Sequence, residues 1–243
     1  MQEIKPTGER YIIGQSQKRH QKLVAQDHWQ RYEFAKQFVK NKQVLDIACG
    51  TGYGTGTLKE AGALQVTGID VSREAIDYAK AHYQTEGIVF SQGDALRLNC
   101  PDNYFDVVVS LETIEHVQDV DAFLKELKRV LRPGGILILS TVNKLITSPF
   151  TKKPLNQYHL REFTRLPLEK SLSGYFQIQA WFGQRLVAKI FTKKIVRKAI
   201  KAVELAIGKK FGFYDVANGP QVVPLTNTNK IPRDFIVICK KPS

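Results

Sequence analysis

Between residues 110 and 117 the chain reads Ser-Leu-Glu112-Thr-Ile-Glu115-His116-Val, and His159 follows inside Asn156-Gln-Tyr-His-Leu-Arg-Glu162-Phe-Thr164. Two carboxylates and an imidazole this close are the material of acid–base chemistry or of a cation site. If the first segment is helical, Glu112, Glu115 and His116 share one face at i, i+3 and i+4. Acids so placed repel each other unless a positive charge compensates. Three uses stay open. Glu112, Glu115, His116 and His159 could ligate a divalent metal, since mixed oxygen and nitrogen donors suit Mg, Mn or Zn without choosing among them. His116 could be a general base in a metal-free site, with Glu115 beside it. Or the residues are structural: His159 anchors a loop through Asn156 and Glu162, and the acids form a solvated face.

A second constellation lies upstream, Val44-Leu-Asp46-Ile-Ala48-Cys-Gly50-Thr-Gly52-Tyr-Gly54. Glycines between an apolar run and a helical segment let backbone approach a ligand at a helix N-terminus. No Gly-Lys-Ser/Thr follows, so this is not a phosphate-binding loop. Nor does it match the dinucleotide pattern G-x-G-x-x-G: counted from Gly50 the third position is Thr55, and from Gly52 it is Thr57. What remains is a glycine turn with acids nearby. Asp46 sits on the strand itself, Asp70 ends the next apolar run, and Asp94 stands in Gly93-Asp-Ala95. Carboxylates serve hydroxyl and amine donors, which suits a ligand carrying no phosphate.

The elements that must position these residues alternate. Strands are expected at 44–48, 65–70, 88–91, 105–110 and 136–141. Helices are expected at 53–61, from the N-cap Ser72 to about 83, and at 120–131, which Pro133-Gly134-Gly135 stops. A helix over 21–39 precedes them, while a helix at 160–173 and strands at 176–182 and 234–239 follow. Such alternation predicts an α/β fold with a mostly parallel sheet and helices on both faces. In that setting both acidic–histidine segments fall at the carboxyl ends of strands, where ligands bind.

From Lys42 to Thr141 these ordered motifs resemble the class I S-adenosylmethionine methyltransferases. The resemblance implies a Rossmann-like, seven-stranded sheet and S-adenosyl-L-methionine as cofactor, leaving S-adenosyl-L-homocysteine as product. It implies a cofactor pocket built from Asp46, Ala48, Gly50, Gly52, Asp70, Val71, Asp94, Ala95 and Leu111. Asp70 would take the ribose hydroxyls and Asp94 would face the adenine amino group. The Glu-x-x-Glu-His segment with a later His is similar to two methyltransferase groups, the small-RNA 3′-terminal 2′-O-methyltransferases and the ubiquinone-pathway catechol O-methyltransferases. There the corresponding residues hold a divalent metal against vicinal hydroxyls, which implies Glu112, Glu115, His116 and His159 as ligands here. An alcohol is a poor nucleophile at neutral pH, and a metal can acidify and orient it.

As a whole, residues 7–184 resemble bacterial class I methyltransferases found with polysaccharide and glycolipid assembly. Thr7-Gly-Glu-Arg-Tyr11, the glycine turn, Glu112–Val117 and Tyr158-His-Leu-Arg-Glu-Phe-Thr164 carry that likeness. The implied reaction is O-methylation of a sugar hydroxyl, on a small-molecule or lipid-linked acceptor. Two alternatives are methylation of a small aromatic or quinone precursor and 2′-O-methylation of RNA. Nucleic acid is the less favoured partner, because the Phe-Glu-Trp context of the RNA enzymes is missing.

The 243 residues allow one α/β domain, with 1–40 expected as an N-terminal helical cap and 41–243 as the catalytic domain. Within it, 183–233 is expected as a basic insertion between the last two strands. Residues 185–210 hold nine Lys/Arg against one acid, with apolar positions near helical spacing. This pattern suits either contact with an anionic membrane or a helix packed on the domain. The formal net charge of +13 favours anionic partners generally. Three scattered cysteines and an N-terminus without an apolar stretch lead to the expectation of a cytoplasmic protein, with peripheral contact at the inner face of the membrane.

Overall fold

The β-branched runs assemble into one sheet in the computed structural model, which describes residues 19–207, 219–226 and 229–243. Its strands are β1 (Gln43–Ile47), β2 (Gln65–Asp70), β3 (Ile88–Gln92), β4 (Phe105–Leu111), β5 (Leu131–Val142), β6 (Gln177–Ala188), β7 (Val223–Pro224) and β8 (Lys230–Lys240). They lie in the order β3-β2-β1-β4-β5-β8-β6-β7. The first five pair in parallel. Strand β8 runs antiparallel to both β5 and β6, and β7 antiparallel to β6. The expected seven-stranded sheet is present, with the two-residue β7 as an eighth strand.

The helices are α1 (Arg19–Ala35), α2 (Tyr53–Glu60), α3 (Arg73–Tyr83), α4 (Val120–Val130), α5 (Lys144–Thr147), α6 (Arg165–Ser173) and α7 (Lys194–Ile207). They cover both faces because the central strands are apolar on both sides. Leu45, Ile47 and Val108 join the cluster under α4 and α6. Their neighbours Val44, Val107 and Val109 face the other way, toward Tyr32 of α1 and Leu58 of α2. In α4, Phe123, Leu124, Leu127 and Val130 form the buried stripe, and the Asp119 side chain caps the Ala122 N–H at 3.0 Å. Among the described residues, no helix is long and apolar enough to cross a membrane.

Four expectations need correction. Residues 112–117 form a turn, not a helix; the His116 N–H bonds the Thr113 carbonyl at 2.9 Å and Glu112 has φ +50°. The helix expected at 160–173 starts at Arg165, because the Leu160 N–H is drawn to the Glu115 carbonyl and Phe163 bridges Asn143. The α4 helix ends at Val130 and Leu131 already belongs to β5, so the Pro133-Gly134-Gly135 turn lies within the strand. The insertion is shorter than 183–233, since β6 and β8 keep pairing out to Ala188↔Lys230. Arg185 therefore lies buried in the sheet, 2.8 Å from Asp27 of α1, and is not part of a basic helix. The Thr7–Tyr11 motif and the end of the basic stretch at 208–210 lie outside the described residues.

Candidate active site

Strand β1 is flanked by β2 on one side and β4 on the other. Successive crossovers therefore leave in opposite directions and open a crevice beyond the carboxyl end of β1. The glycine turn occupies that end. Gly52 caps α2 with φ +86°, and a Cβ there would lie 2.6 Å from the Ala79 Cβ. Both the conformation and the space exclude a side chain. At Gly54 a Cβ would fall 1.9 Å from the Tyr32 ring, so glycine here lets α1 lie directly on α2.

Asp70 is fastened from two sides. Its carboxylate accepts the Gly50 N–H at 2.9 Å and the Ser72 N–H at 2.8 Å. A carboxylate has about four acceptor sites, so two such bonds leave capacity for a pair of hydroxyls. Asp94 is exposed after β3, its carboxylate oriented by the Leu96 N–H at 2.9 Å. Val71 is 71% exposed beside Asp70, and Ala48 is exposed with φ +57°. Ala95 and Leu111 pack against the core clusters.

Asp46 differs from the other acids in that it is buried and its carboxylate is spent inside the protein. It accepts the Thr55 hydroxyl at 2.7 Å and the Tyr32 hydroxyl at 3.1 Å. Burial pushes its pKa up to about 7 against the pull of these two bonds, and the charge of Asp70 adds to the rise. Asp46 thus clasps β1, α2 and α1 together behind the turn.

The second constellation gathers at the ends of β4 and β5. Glu115, His116 and His159 bring one ligand-type atom each within 4.8 Å of one another, and the two rings meet edge to face at 4.9 Å. Their hydrogen bonds set the tautomers. His116 Nδ1 lies 3.0 Å from the Tyr158 carbonyl, which can only accept, so Nδ1 carries the proton and Nε2 the lone pair. His159 Nδ1 lies 2.9 Å from Glu162 Oε1, and its Nε2 lies 3.0 Å from Asn156 Nδ2. Burial raises the pKa of Glu162, but bonds from His159, Ser148 and Thr147 outweigh it and hold the carboxyl below its usual value. Glu162 therefore accepts from Nδ1, and the His159 lone pair is also on Nε2.

Glu115 is fully buried. Its Oε2 accepts the Thr141 hydroxyl at 2.9 Å, while Oε1 has no hydrogen-bond partner. Burial and then the charge of Glu112 push its pKa well above the ordinary carboxylate value. A buried, unsatisfied oxygen on a carboxylate grouped with two imidazoles fits a cation, whose charge would also reverse the pKa rise. Glu112 does not join this group. It lies 2.8 Å from Arg31 of α1 and accepts the Ser140 hydroxyl at 2.8 Å. The expected four-ligand set is corrected to three by this ion pair. The left-handed turn at Glu112 separates it from the face that a helix would have given it.

The residues from the sequence reading thus fall into two neighbouring groups, Asp70 and Asp94 around the glycine turn and Glu115, His116 and His159 beside it. Arg31, Thr141 and the Tyr32–Asp46 clasp were not anticipated. An arginine and tyrosine adjacent on one helix carry no spacing that distinguishes them from an ordinary helix face.

Comparison with known proteins places the chain. Residues 45–139 match the family model described as "Methyltransferase domain". A Mycolicibacterium smegmatis protein named "Probable S-adenosylmethionine-dependent methyltransferase" is 33% identical over 73% of this chain and 67% of its own length. The chain therefore belongs to the S-adenosylmethionine-dependent methyltransferases and uses S-adenosylmethionine as its cofactor. A "Ubiquinone biosynthesis O-methyltransferase" of Haemophilus ducreyi is 38% identical over 43% of this chain and 47% of its own length. Beyond the first relative, the match spans about half the length of the curated relatives, 43% to 47%. The fold agrees with the solved structure of an S-adenosylmethionine-dependent methyltransferase from Mesorhizobium loti. Its TM-score is 0.60 at 18% identity, covering 90% of this chain and 100% of that one.

Proposed function

We propose that this enzyme moves the methyl group of S-adenosylmethionine to a hydroxyl of a sugar or glycolipid precursor, with a divalent cation held by Glu115, His116 and His159. The observation that carries the reading is the convergence of one ligand-type atom each from Glu115, His116 and His159 within 4.8 Å, with Glu115 Oε1 buried and lacking a hydrogen-bond partner. Asp70 would take the ribose hydroxyls and Asp94 the adenine amine, holding the methyl donor at the glycine turn. When bound, the cation supplies the positive charge that acidifies the acceptor hydroxyl.

The chain's own groups do the rest. Glu162 and the Tyr158 carbonyl hold the two rings through Nδ1, which leaves the lone pair of each on Nε2. To hold the cation through Nε2, His159 would give up its Asn156 contact. The acceptor oxygen then forms its bond to the methyl carbon as the S–C bond breaks, the hydroxyl proton leaves to solvent, and S-adenosylhomocysteine is released. In a metal-free site, His116 Nε2 takes that proton instead.

The basic excess of the chain supports a phosphorylated, carrier-linked sugar. A second reading has one specific support, the similarity to proteins named for ubiquinone biosynthesis: an aromatic hydroxyl of a quinone precursor would then be the acceptor. A methyl-transfer screen over sugar nucleotides, lipid-linked sugars and catechols, each with EDTA and with Mg, Mn or Zn restored, separates them. Turnover of a sugar acceptor that chelation stops supports the proposal. Turnover of catechols alone replaces the acceptor, and turnover indifferent to chelation removes the cation and leaves His116 as base.

A further inference from the structure

The helix α7 has apolar residues at helical spacing, yet none of its described side chains is buried. Ile195 is 75% and Leu205 77% exposed, and Val203 is exposed between them. A helix of 14 residues is marginal in water unless its apolar face is covered. This face stands next to a second one. Arg197 donates to the Leu145 carbonyl at 3.2 Å, tying α7 to the segment that runs from α5 to the candidate site. That segment exposes Leu145, Phe150, Leu155, Tyr158 and Leu160. Its far end is the cluster itself, through the Tyr158 carbonyl bound to His116 and the Leu160 N–H bound to Glu115.

Charge says what kind of surface would cover it. Residues 144–161 and 189–207 together carry ten Lys/Arg and one acid, Glu204. Apolar side chains set among cations, with a single acid, match an anionic lipid surface, where the aliphatic groups enter the acyl boundary and the lysines meet headgroups. Single-stranded nucleic acid is served by rows of aromatic platforms, whereas the exposed apolar side chains of α7 are aliphatic and the neighbouring segment adds only Phe150 and Tyr158. A second copy of the chain would bring equal positive charge against it. We infer that α7 and the 144–160 segment dock on an anionic phospholipid bilayer, so that a membrane-borne acceptor reaches Glu115, His116 and His159 from the lipid side. The second half of this inference rests on the acceptor reading above; the first half does not.

The test is flotation of the full chain with phosphatidylcholine vesicles, with and without about one-third phosphatidylglycerol. The chain should float with the anionic vesicles and be released by salt. Each positive charge removed should weaken partition roughly five-fold, so Lys194→Gln with Lys198→Gln should cost about 25-fold at constant fold. Ile195→Ser with Leu205→Ser should reduce flotation even at low salt. All variants should bind S-adenosylhomocysteine in calorimetry as the parent does, which shows them folded. Equal flotation on neutral vesicles, no flotation of a chain that binds S-adenosylhomocysteine, or variants that float like the parent each overturn the inference while leaving the methyltransferase reading intact. So does retardation of a single-stranded RNA, or self-association through α7, in place of vesicle binding.

Discussion

Arg31 Nη1 lies 2.8 Å from Glu112 Oε1, and this ion pair joins the N-terminal helix to the turn that presents Glu115 and His116. Arg31 is 1% exposed and also faces the charges of Asp234 and Asp27. Removing one partner of a buried pair leaves an uncompensated charge. Arg31→Met should therefore lower stability by about 3–5 kcal/mol in urea denaturation. The double variant Arg31→Met/Glu112→Gln should recover a large part of that loss. Equal losses in the single and double variants would show that the pair itself contributes little.

Asp70 is the acid whose removal should be felt first by the cofactor. Losing two hydroxyl hydrogen bonds to a charged acceptor, each about 1.5–3 kcal/mol, predicts a drop of roughly 100-fold or more in S-adenosylhomocysteine affinity for Asp70→Ala. Asp94→Ala should cost less, since one amine contact is involved. Calorimetry reads both, and unchanged affinity in Asp70→Ala contradicts the pocket.

Asp46 makes stability depend on pH. Its folded-state pKa stands near 7, against an ordinary 3.8. Between these values the folded chain holds a proton that the unfolded chain has released, so this contribution is fully present at low pH and is lost as pH rises toward 7. In Asp46→Asn that fall should be smaller, read as the difference in Tm between about pH 5 and pH 8. A steeper fall in the variant would reverse the sign and refute burial as the cause.

The sheet was legible because its signals are local. Runs such as Phe-Asp-Val-Val-Val-Ser at 105–110 can bury both faces in a strand, and Gly52 and Gly54 mark a turn that no other residue fits. The cofactor acids followed from that frame, since each ends a strand or opens the next loop. The acidic–histidine cluster was legible in its residues but not in its geometry. Spacing places Glu112 with Glu115 on a helix, whereas β5 and the loop at 160–163 compete for the same backbone and hold it as a turn. Arg31 then captures Glu112 from a helix about 80 residues upstream, which periodicity does not reveal. The extent of β6 and β8 was underestimated for a related reason. Lys230 and Arg233 fell within the stretch expected as an insertion, and pairing of β8 with β6 across more than forty residues made them strand.

Glu115 also gives the cation a pH signature. Burial, and then the charge of Glu112, raise the pKa of its carboxyl well above the ordinary carboxylate value, so a cation bound there competes with a proton. Affinity for Mn should rise with pH until that proton is gone, and Glu115→Gln should lose the affinity together with its pH dependence. Flat binding in the parent chain would place the ion elsewhere.

Mn electron paramagnetic resonance on the parent chain, Glu115→Gln and His159→Ala tests the candidate site most directly, because it needs no knowledge of the acceptor. The parent should sequester Mn and quench its free-ion signal at stoichiometric protein, while both variants leave the signal as in buffer and still bind S-adenosylhomocysteine. A parent chain that leaves the Mn signal untouched, or variants that quench it equally, contradicts a cation held by Glu115, His116 and His159.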